Sequence, residues 1–500
     1  AGFSPDADEN LFAGTDAGED LDGSNACWNV LMGYNAGKEM TSGASNVAIG
    51  KQALGSGVVT GGCNVAIGHW AGKANTGGYN NVFVGKYAGY QNTVGLVNVA
   101  IGFEAGSANV CGRYNVYMGN STASLDKCGC YNIALGNYAQ AGVNGDSVSR
   151  QHNISLGSYA SAKLLGGHNN IAIGQGAGCN IGDKDHTISI GCGAGKCRGG
   201  DYNIQIGENA GKGGSSTVSD NSGQNNLAIG TEAGGSNTSG ASNVALGHYA
   251  GFKNSTGSAN VSIGIKAMFC GTTQGCSVAI GYCAMHGNTT TAPSGNQNVA
   301  IGYETMRDIC TGKMNTGVGS LSMSGLTSGD YNFAGGYAAG IKISTGEYNF
   351  AGGYYALCGG PLTGNANIGL GKYAGKETTS GGCSIFLGHS AGKCTTSGSH
   401  NIALGYQAGL MLDDAACNIL IGFSAGCYMK LQNNIAIGRY AGALIGAGCR
   451  NVFIGDEAGN SSGTATNNSA IANVGIGPDA LKDLTTGDCN VAIGLAAGAQ

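Results

Sequence analysis

Asn81-Val82-Phe83-Val84-Gly85-Lys86-Tyr87-Ala88-Gly89 is one copy of a motif that returns along the whole chain. Aligned on the asparagine, which we call the anchor, Asn-[Val/Ile]-Ala-Ile-Gly occurs in 28 copies, usually 17 residues apart, with Thr or Ser as the anchor in three. A repeat of this length predicts stacked identical units in place of independent domains. Representative anchors, each with the glycine four residues later, are Asn46 and Gly50, Asn64 and Gly68, Asn243 and Gly247, and Asn298 and Gly302.

The residues at fixed positions after the anchor predict the backbone conformation of the repeat. The fourth position after the anchor is Gly in all 28 copies, which fits a corner with positive φ or a close backbone approach. The seventh position is Ala in all but three copies. The 96 glycines would destabilise helices. We therefore predict an all-β parallel β-solenoid or β-roll of about 28 rungs and, at about 4.8 Å per strand, roughly 130 Å in length. Residues 1–9 form an acidic lead-in and 10–500 a continuous array.

The strand alternation predicts which residues are buried. The first and third positions, as in Val65 and Ile67, are large and apolar, and we expect them to face the interior. The second position is mostly small, as in Ala48 and Ala66, and with the Ala column it is expected to form a flat face against a neighbouring chain. One rung offers few large residues for burial, so we expect a homo-oligomer, with a homotrimer as the first choice.

The anchor asparagine has two interpretations. Its side chain either bonds the backbone at a turn and stacks on the anchor of the next rung, or forms a ladder that binds a ligand or ice. We expect the structural role, because Thr shows no fixed phase of the kind an ice binder would need.

Composition and motifs argue against several functions. The net charge of -5 and the scattered Lys and Arg indicate no nucleic-acid partner, and no apolar run of 18 residues predicts membrane insertion. The first residues lack the pattern of a signal peptide. Gly-Lys pairs are not followed by Ser or Thr, and Gly174-Gln175-Gly176-Ala177-Gly178 is one rung with an extra Gly and not a nucleotide loop. The histidines form no triad or zinc set, so we expect no enzyme, cofactor or metal.

The 19 cysteines favour an oxidising environment or maturation outside the cell. Residues at one phase of adjacent rungs would lie about 4.8 Å apart, which suits a disulfide. Cys111 with Cys128 and Cys179 with Cys197 are the candidate pairs. The alternative is that these cysteines are small buried residues that stay reduced.

The fifth and sixth positions vary freely and are expected to be exposed. Aromatic residues there are candidates for surface contacts, either as an ordinary strand surface, which we expect, or as a strip on which a glycan stacks. They include Trp70, Tyr87, Tyr138, Tyr249 and Tyr373. Four longer steps, near 140–151, 211–224, 286–296 and 460–471, predict protruding loops for contact with a receptor or another subunit.

The run from Asn298 to Thr305, the continuation from Asn243 to Gly257 and the opening Phe3 to Gly14 resemble the Asn-Thr-Ala-Ile-Gly repeats of bacteriophage tail-fibre and appendage proteins, notably marine ones. A more distant resemblance is to trimeric autotransporter adhesin heads. The resemblance implies a fibre subunit on a virion surface or outside a cell, acting as a rigid spacer that contacts a host-surface glycan or receptor.

Two alternatives remain open. One is a secreted filament subunit that stacks end to end and is cross-linked by disulfides. The other is an adhesin-type solenoid that binds a ligand. Phage fibres of this kind often end in a self-cleaving chaperone, which does not follow Gln500 in this sequence, and this departure keeps the cellular filament open.

Overall fold

A computed structural model of the chain describes residues 5–22, 25–143, 150–197, 199–214, 221–287, 293–461 and 468–499. Each repeat contributes one strand of three residues, and no helix occurs within these ranges. The chain divides into two compact units, residues 1–256 and 257–500.

The first unit contains fourteen strands, which are β1 (Leu11–Ala13), β2 (Val30–Met32), β3 (Val47–Ile49), β4 (Val65–Ile67), β5 (Val82–Val84), β6 (Val99–Ile101), β7 (Val116–Met118), β8 (Ile133–Leu135), β9 (Ile154–Leu156), β10 (Ile171–Ile173), β11 (Ile188–Ile190), β12 (Ile204–Ile206), β13 (Leu227–Ile229) and β14 (Val244–Leu246). The second unit contains β15 (Val261–Ile263), β16 (Val278–Ile280), β17 (Val299–Ile301), β18 (Thr316–Val318), β19 (Phe333–Gly335), β20 (Phe350–Gly352), β21 (Ile368–Leu370), β22 (Ile385–Leu387), β23 (Ile402–Leu404), β24 (Ile419–Ile421), β25 (Ile435–Ile437), β26 (Val452–Ile454), β27 (Val474–Ile476) and β28 (Val491–Ile493).

Within each unit, every strand pairs in parallel with the next strand of the chain. Equivalent repeat positions lie opposite each other, as where Val82, Phe83 and Val84 pair with Val99, Ala100 and Ile101. One repeat is therefore one turn of a coil, which confirms the parallel β-solenoid with a repeat of about 17 residues. At about 4.8 Å per rung, the fourteen rungs of a unit extend over roughly 60 Å.

Backbone pairing continues beyond the strands. In the rung of β5, the N–H of Gly85 donates to the carbonyl of Ile67 at 2.8 Å and that of Tyr87 to His69 at 3.0 Å, both in the preceding rung. The N–H of Gly89 donates to Ala105 of the following rung at 2.9 Å. Each short strand is thus supplemented by bonds around the coil, which satisfy buried main-chain groups that three strand residues alone would leave unpaired.

Two features of the structure require glycine at the fourth position, namely the backbone angle and the close approach of the next rung. Gly50 has φ +127, and Gly174 has φ +128, a region that L-residues rarely enter. A Cβ on Gly50 would lie 2.7 Å from the carbonyl oxygen of Gly68, the equivalent glycine of the next rung. The invariant glycine therefore follows from both the backbone angle and the rung spacing.

The strand faces are the reverse of the sequence-based expectation. The second position points inward, since Ala48 and Ala66 are fully buried, and the Ala column at the seventh position lies inside with it. The first and third positions point outward: Val65 is half-buried, and Ile67 keeps 38% of its surface exposed. The prediction that small residues form the outer face was wrong, because the narrow interior of a 17-residue coil accommodates the small side chains.

Interior volume is shared between the second and eighth positions. In the rung of β5 the second position is Phe83 and the eighth is Gly89, whereas in the rung of β3 the small Ala48 is matched by Leu54. A Cβ on Gly72, the eighth residue of the preceding rung, would lie 2.7 Å from Cδ2 of Phe83. In several rungs both positions are small, as with Ala66 and Gly72, but in no rung are both large, because a close-packed interior has no room for two large side chains.

The anchor asparagines form a buried ladder. Oδ1 of Asn64 accepts from the main-chain N–H of Asn81 at 3.0 Å and from its Nδ2 at 3.1 Å. Nδ2 of Asn81 also donates to the carbonyl of Gly95 at 2.8 Å. Where the anchor is Ser384, its Oγ still accepts from the main-chain N–H of the next anchor at 3.2 Å. These buried side chains hold the turn before each strand and offer no exposed ladder to ice or a ligand.

Candidate functional surfaces

The outer face of the strands is an apolar surface formed by the first and third positions. Apart from Thr316, every residue at these positions in β1–β28 is Val, Ile, Leu, Met, Phe, Ala or Gly. Exposed fractions are 38% for Ile229, 38% for Ile301 and 37% for Leu387. We call these two columns the outer apolar face. It occurs in both units, and contiguous exposed apolar surfaces of this kind mark interaction sites in soluble proteins.

The five aromatic residues singled out from the sequence all lie at the sixth position, and the structure brings only two of them together. The rings of Trp70 and Tyr87 are 4.9 Å apart, whereas Tyr138 stacks on Tyr159 at 5.3 Å. Tyr249 contacts the ring of Phe252 at 5.0 Å. Tyr373 belongs to a separate cluster in the second unit, with the ring of Tyr354 at 5.7 Å.

Lysines surround two of these aromatic clusters. In the first unit, Nζ of Lys73 lies 4.9 Å from the ring centre of Trp70 and Nζ of Lys86 lies 5.1 Å from that of Tyr87. The nearby His69 has a lowered pKa, first because of its burial and then because of the neighbouring lysines. In the second unit, three Nζ atoms lie 5.2 to 5.8 Å from the ring centre of Tyr373, those of Lys372, Lys376 and Lys393. Both clusters are positively charged aromatic surfaces.

The two candidate disulfides differ. Cys111 and Cys128 share one repeat position, and the structure joins them across adjacent rungs with a Cα–Cα distance of 4.9 Å. Cys179 and Cys197 are free thiols. The step between their anchors is 17 residues and not 18, so Cys179 lies opposite Lys196, to whose carbonyl its Sγ donates at 3.7 Å. The second candidate pair is therefore not formed in this structure, because its members are one residue out of phase.

Exposed free thiols occupy mainly one column, the position immediately before the anchor. The exposed members of this column are Cys63, Cys276, Cys383, Cys417 and Cys489. Burial raises the pKa of Cys179, Cys283, Cys358 and Cys394, and it raises that of Cys427 to about 11. The chain thus carries one set of accessible thiols and another set shielded by the coil.

A buried polar cluster lies beside the first long step. The hydroxyl of Tyr117 donates to Oδ2 of Asp126 at 2.9 Å, and Nη1 of Arg150 lies 3.8 Å from Oδ1 of the same carboxylate. Nε of Arg150 donates to the carbonyl of Leu164 at 2.8 Å. Burial raises the pKa of Tyr117 well above its usual value, with Asp126 adding to the effect. The cluster has no opening to solvent, so its role is in the packing of these rungs.

The four long steps are only partly described. Residues 144–149, 215–220, 288–292 and 462–467 lie outside the described residues, so the predicted contact loops stay predictions. Over the ranges that are described, no group of three His, Cys, Asp or Glu residues could hold a metal ion. The same residues include no helix with the length and hydropathy needed to cross a membrane.

Comparison with protein-family models gives no match, and comparison with curated proteins gives no similar sequence.

Proposed function

We propose that this chain is a structural fibre subunit that assembles with copies of itself through the outer apolar face. Following the resemblance of its repeats, we assign it to a phage or virus tail fibre or appendage, displayed at the virion surface as a rigid spacer. The observation that carries the proposal is the outer apolar face, none of whose residues is buried in any of the 28 strands and whose side chains are half-buried or, as at Ile229 and Ile301, 38% exposed.

Covering this face would release enough free energy for association. Full burial of a Val, Leu or Ile side chain is worth about 1.5–3 kcal/mol, so covering the exposed third of one is worth roughly 0.5–1 kcal/mol. Because one third is an upper bound for most of these residues, two per rung over the fourteen rungs of one unit give at most roughly 15–30 kcal/mol. Association costs about 4–15 kcal/mol, so covering the face over both units outweighs that cost.

A second copy of this chain is the occupant that fits best. The apolar positions recur at every rung, and a partner that covers them must present apolar side chains at the same spacing of about 4.8 Å. Another copy presents apolar side chains at this spacing, because its own outer apolar face carries the same repeat. Closed cyclic symmetry then buries the face of every subunit, and the resemblance to trimeric fibres favours three copies.

Contact with a host surface is the second part of the proposal. The clusters around Trp70 and Tyr373 combine half-buried rings with lysines, and such surfaces suit ligands that pair a flat apolar face with negative charge. These clusters lie at the fifth, sixth and ninth positions, which leaves the outer apolar face free for assembly. The spacer and the contact surface can therefore coexist in one rung.

Negative-stain microscopy of the purified chain beside a non-reducing gel tests this function. Discrete rods of one length, whose chains separate in SDS without reductant, are the expected result. Globular particles of single-chain mass would overturn the proposal.

A secreted filament is a second candidate, and the column of exposed thiols before the anchors favours it. Five accessible thiols on one column could link chains once an oxidant is present. Filaments of indefinite length that release single chains only after reduction would establish this candidate in place of the virion fibre.

A further inference from the structure

The sixth position of the repeat is interrupted at one place. Among the 28 rungs only Gly176 and Gly193 carry glycine there, and they occupy consecutive rungs, those of β10 and β11. Elsewhere this position holds side chains that range from Ala to Trp.

The backbone does not require these two glycines. Gly176 has φ +64 and Gly193 has φ +65, and Tyr87 takes φ +62 at the same position of another rung. A Cβ placed on Gly176 would have nothing within 4 Å, and one on Gly193 would meet only the side chain of Asn209, with Oδ1 at 2.6 Å. The glycines therefore serve to keep space open in front of the coil, and they do not relieve backbone strain.

The open space is a cavity of about 440 Å³ whose lining includes both glycines. Tyr159, one rung earlier in the same column, lies at its edge, and Asn209, one rung later, lies at the other. Tyr138 stacks on Tyr159 with ring centres 5.3 Å apart and planes 14° from parallel. Because rungs stack in chain order, the next ring of this column would lie over Gly176, where there is none.

Charged and amide groups complete the lining. Lys163 and Lys196 come from the rungs on either side of Cys179, and within the described residues neither lysine forms an ion pair. Gln175 and Asn209 contribute side-chain amides, and Nδ2 of Asn209 also donates to Oε1 of Glu232 at 3.0 Å. A volume of this size is within the range of small-molecule sites, which are about 300–1,000 Å³.

We propose that this cavity binds an acidic sugar residue, a uronate or a sulfated pyranose of a polysaccharide. The apolar face of the sugar stacks on Tyr159 where the next ring of the column is missing, its acid group lies between Lys163 and Lys196, and its hydroxyls bond to Gln175 and Asn209. We call these residues and the two glycines the acidic-sugar site.

A nucleotide fits the site less well. Phosphate sites use free main-chain N–H groups. Here the N–H of Gly176 donates to Ser158 at 2.9 Å and that of Gly193 to Gln175 at 2.9 Å, so both are already used. The donors that remain are the side chains of lysine and amide residues, which suit a carboxylate or sulfate among hydroxyls.

The acidic-sugar site lies within one chain and away from the outer apolar face. Binding there does not depend on assembly, so failure of this proposal would leave the fibre proposal standing, and a monomeric chain could still bind.

Saturation-transfer NMR of the full chain with glucuronate, glucose, AMP and benzoate tests the assignment. We expect glucuronate to bind at least tenfold more tightly than glucose or AMP. Gly193→Tyr, which fills the cavity with a residue that other rungs hold at this position, should abolish binding, as should Lys163→Met combined with Lys196→Met. Gln407→Tyr, at the same position of a rung in the second unit, is the matched control and should bind as the unaltered chain does.

Peptide-resolved alkylation gives a second measurement. The exposed thiol of Cys192 lines the cavity, so glucuronate should slow its alkylation several-fold and leave the exposed Cys63 unchanged. No binding of glucuronate, binding that survives Gly193→Tyr, or equal or tighter binding of AMP or benzoate would each overturn the proposal.

Discussion

Gly174 and Gly176 lie two residues apart in one rung, and replacing each with alanine should have very different consequences. Gly174 has φ +128, and a Cβ there would lie 2.7 Å from the carbonyl oxygen of Gly191. The backbone angle costs about 1–3 kcal/mol and the overlap about another 1–3, so Gly174→Ala should destabilise the rung by about 2–6 kcal/mol. Gly176 has an ordinary left-handed φ and open space, so Gly176→Ala should cost about 1 kcal/mol, partly offset by the lower entropy of the unfolded chain.

Hydrogen exchange resolved by peptide is the suitable assay, because a solenoid need not unfold as one unit and a global midpoint would average over many rungs. A loss of 2 kcal/mol or more corresponds to at least about a thirtyfold fall in protection around β9–β11. The reasoning would be refuted if both variants lost protection to the same extent, since the clash with the next rung would then have no measurable effect.

Three further predictions concern buried groups. Asn81→Ala removes the acceptor of the next anchor's main-chain N–H and should cost about 2–4 kcal/mol by local hydrogen exchange, whereas Asn81→Ser should cost about half, since serine anchors keep that acceptor. Arg150→Ala leaves the carboxylate of Asp126 buried without this cation and should lower the free energy of local opening by about 3–5 kcal/mol, measured by hydrogen exchange of the peptides around β7–β9. Adding Asp126→Asn, the residue that three preceding rungs hold there, should recover part of the loss, and no recovery would contradict the assigned ion pair. Burial raises the pKa of Cys427 to about 11, so at pH 8 about one Cys427 thiol in a thousand is ionised. Iodoacetamide should therefore modify Cys427 at least tenfold more slowly than the exposed Cys417, and the rate at Cys427 should rise about tenfold per pH unit up to that pKa. Comparable rates for the two thiols at pH 8 would exclude the shielding of Cys427.

The strand in every repeat and the corner glycine could be predicted from the sequence, because both are local. Three alternating residues followed by an invariant glycine specify a short strand and a left-handed corner whatever surrounds them. The pairing of Cys111 with Cys128 has the same origin, since equal repeat positions of adjacent rungs must lie close together.

The direction of the strand faces could not be obtained by the same reasoning. Alternation shows that one face is buried, but it does not say which face lies inside a narrow coil whose interior is filled mainly by small side chains. The sequence signal that identifies the inner face is the pairing of a large with a small residue at the second and eighth positions, as in Phe83 with Gly89 and Ala48 with Leu54. Such compensation occurs only between residues that share one interior, so it places the second and eighth positions together inside.

The acidic-sugar site was missed for a related reason. Gly176 was visible as an extra glycine within one repeat, but its meaning depends on the rungs before and after it. Only the stacked structure shows that Gly176 and Gly193 interrupt a single column, next to the ring of Tyr159 and between two lysines.

Sedimentation equilibrium of the unaltered chain and of one outer-face variant tests assembly most directly. The variant carries lysine in place of Ile49, Ile67, Val84 and Ile101, the third positions of β3–β6. Its matched control carries lysine in the same four rungs at the exposed position before the anchor, in place of Ser45, Cys63, Asn80 and Val97. The unaltered chain and the control should sediment at three times the chain mass of 49.5 kDa, and the outer-face variant should associate more weakly, with a larger fraction of single chains at equal loading. A folded monomer of the unaltered chain, or an outer-face variant that stays associated as the control does, would contradict self-assembly through the outer apolar face.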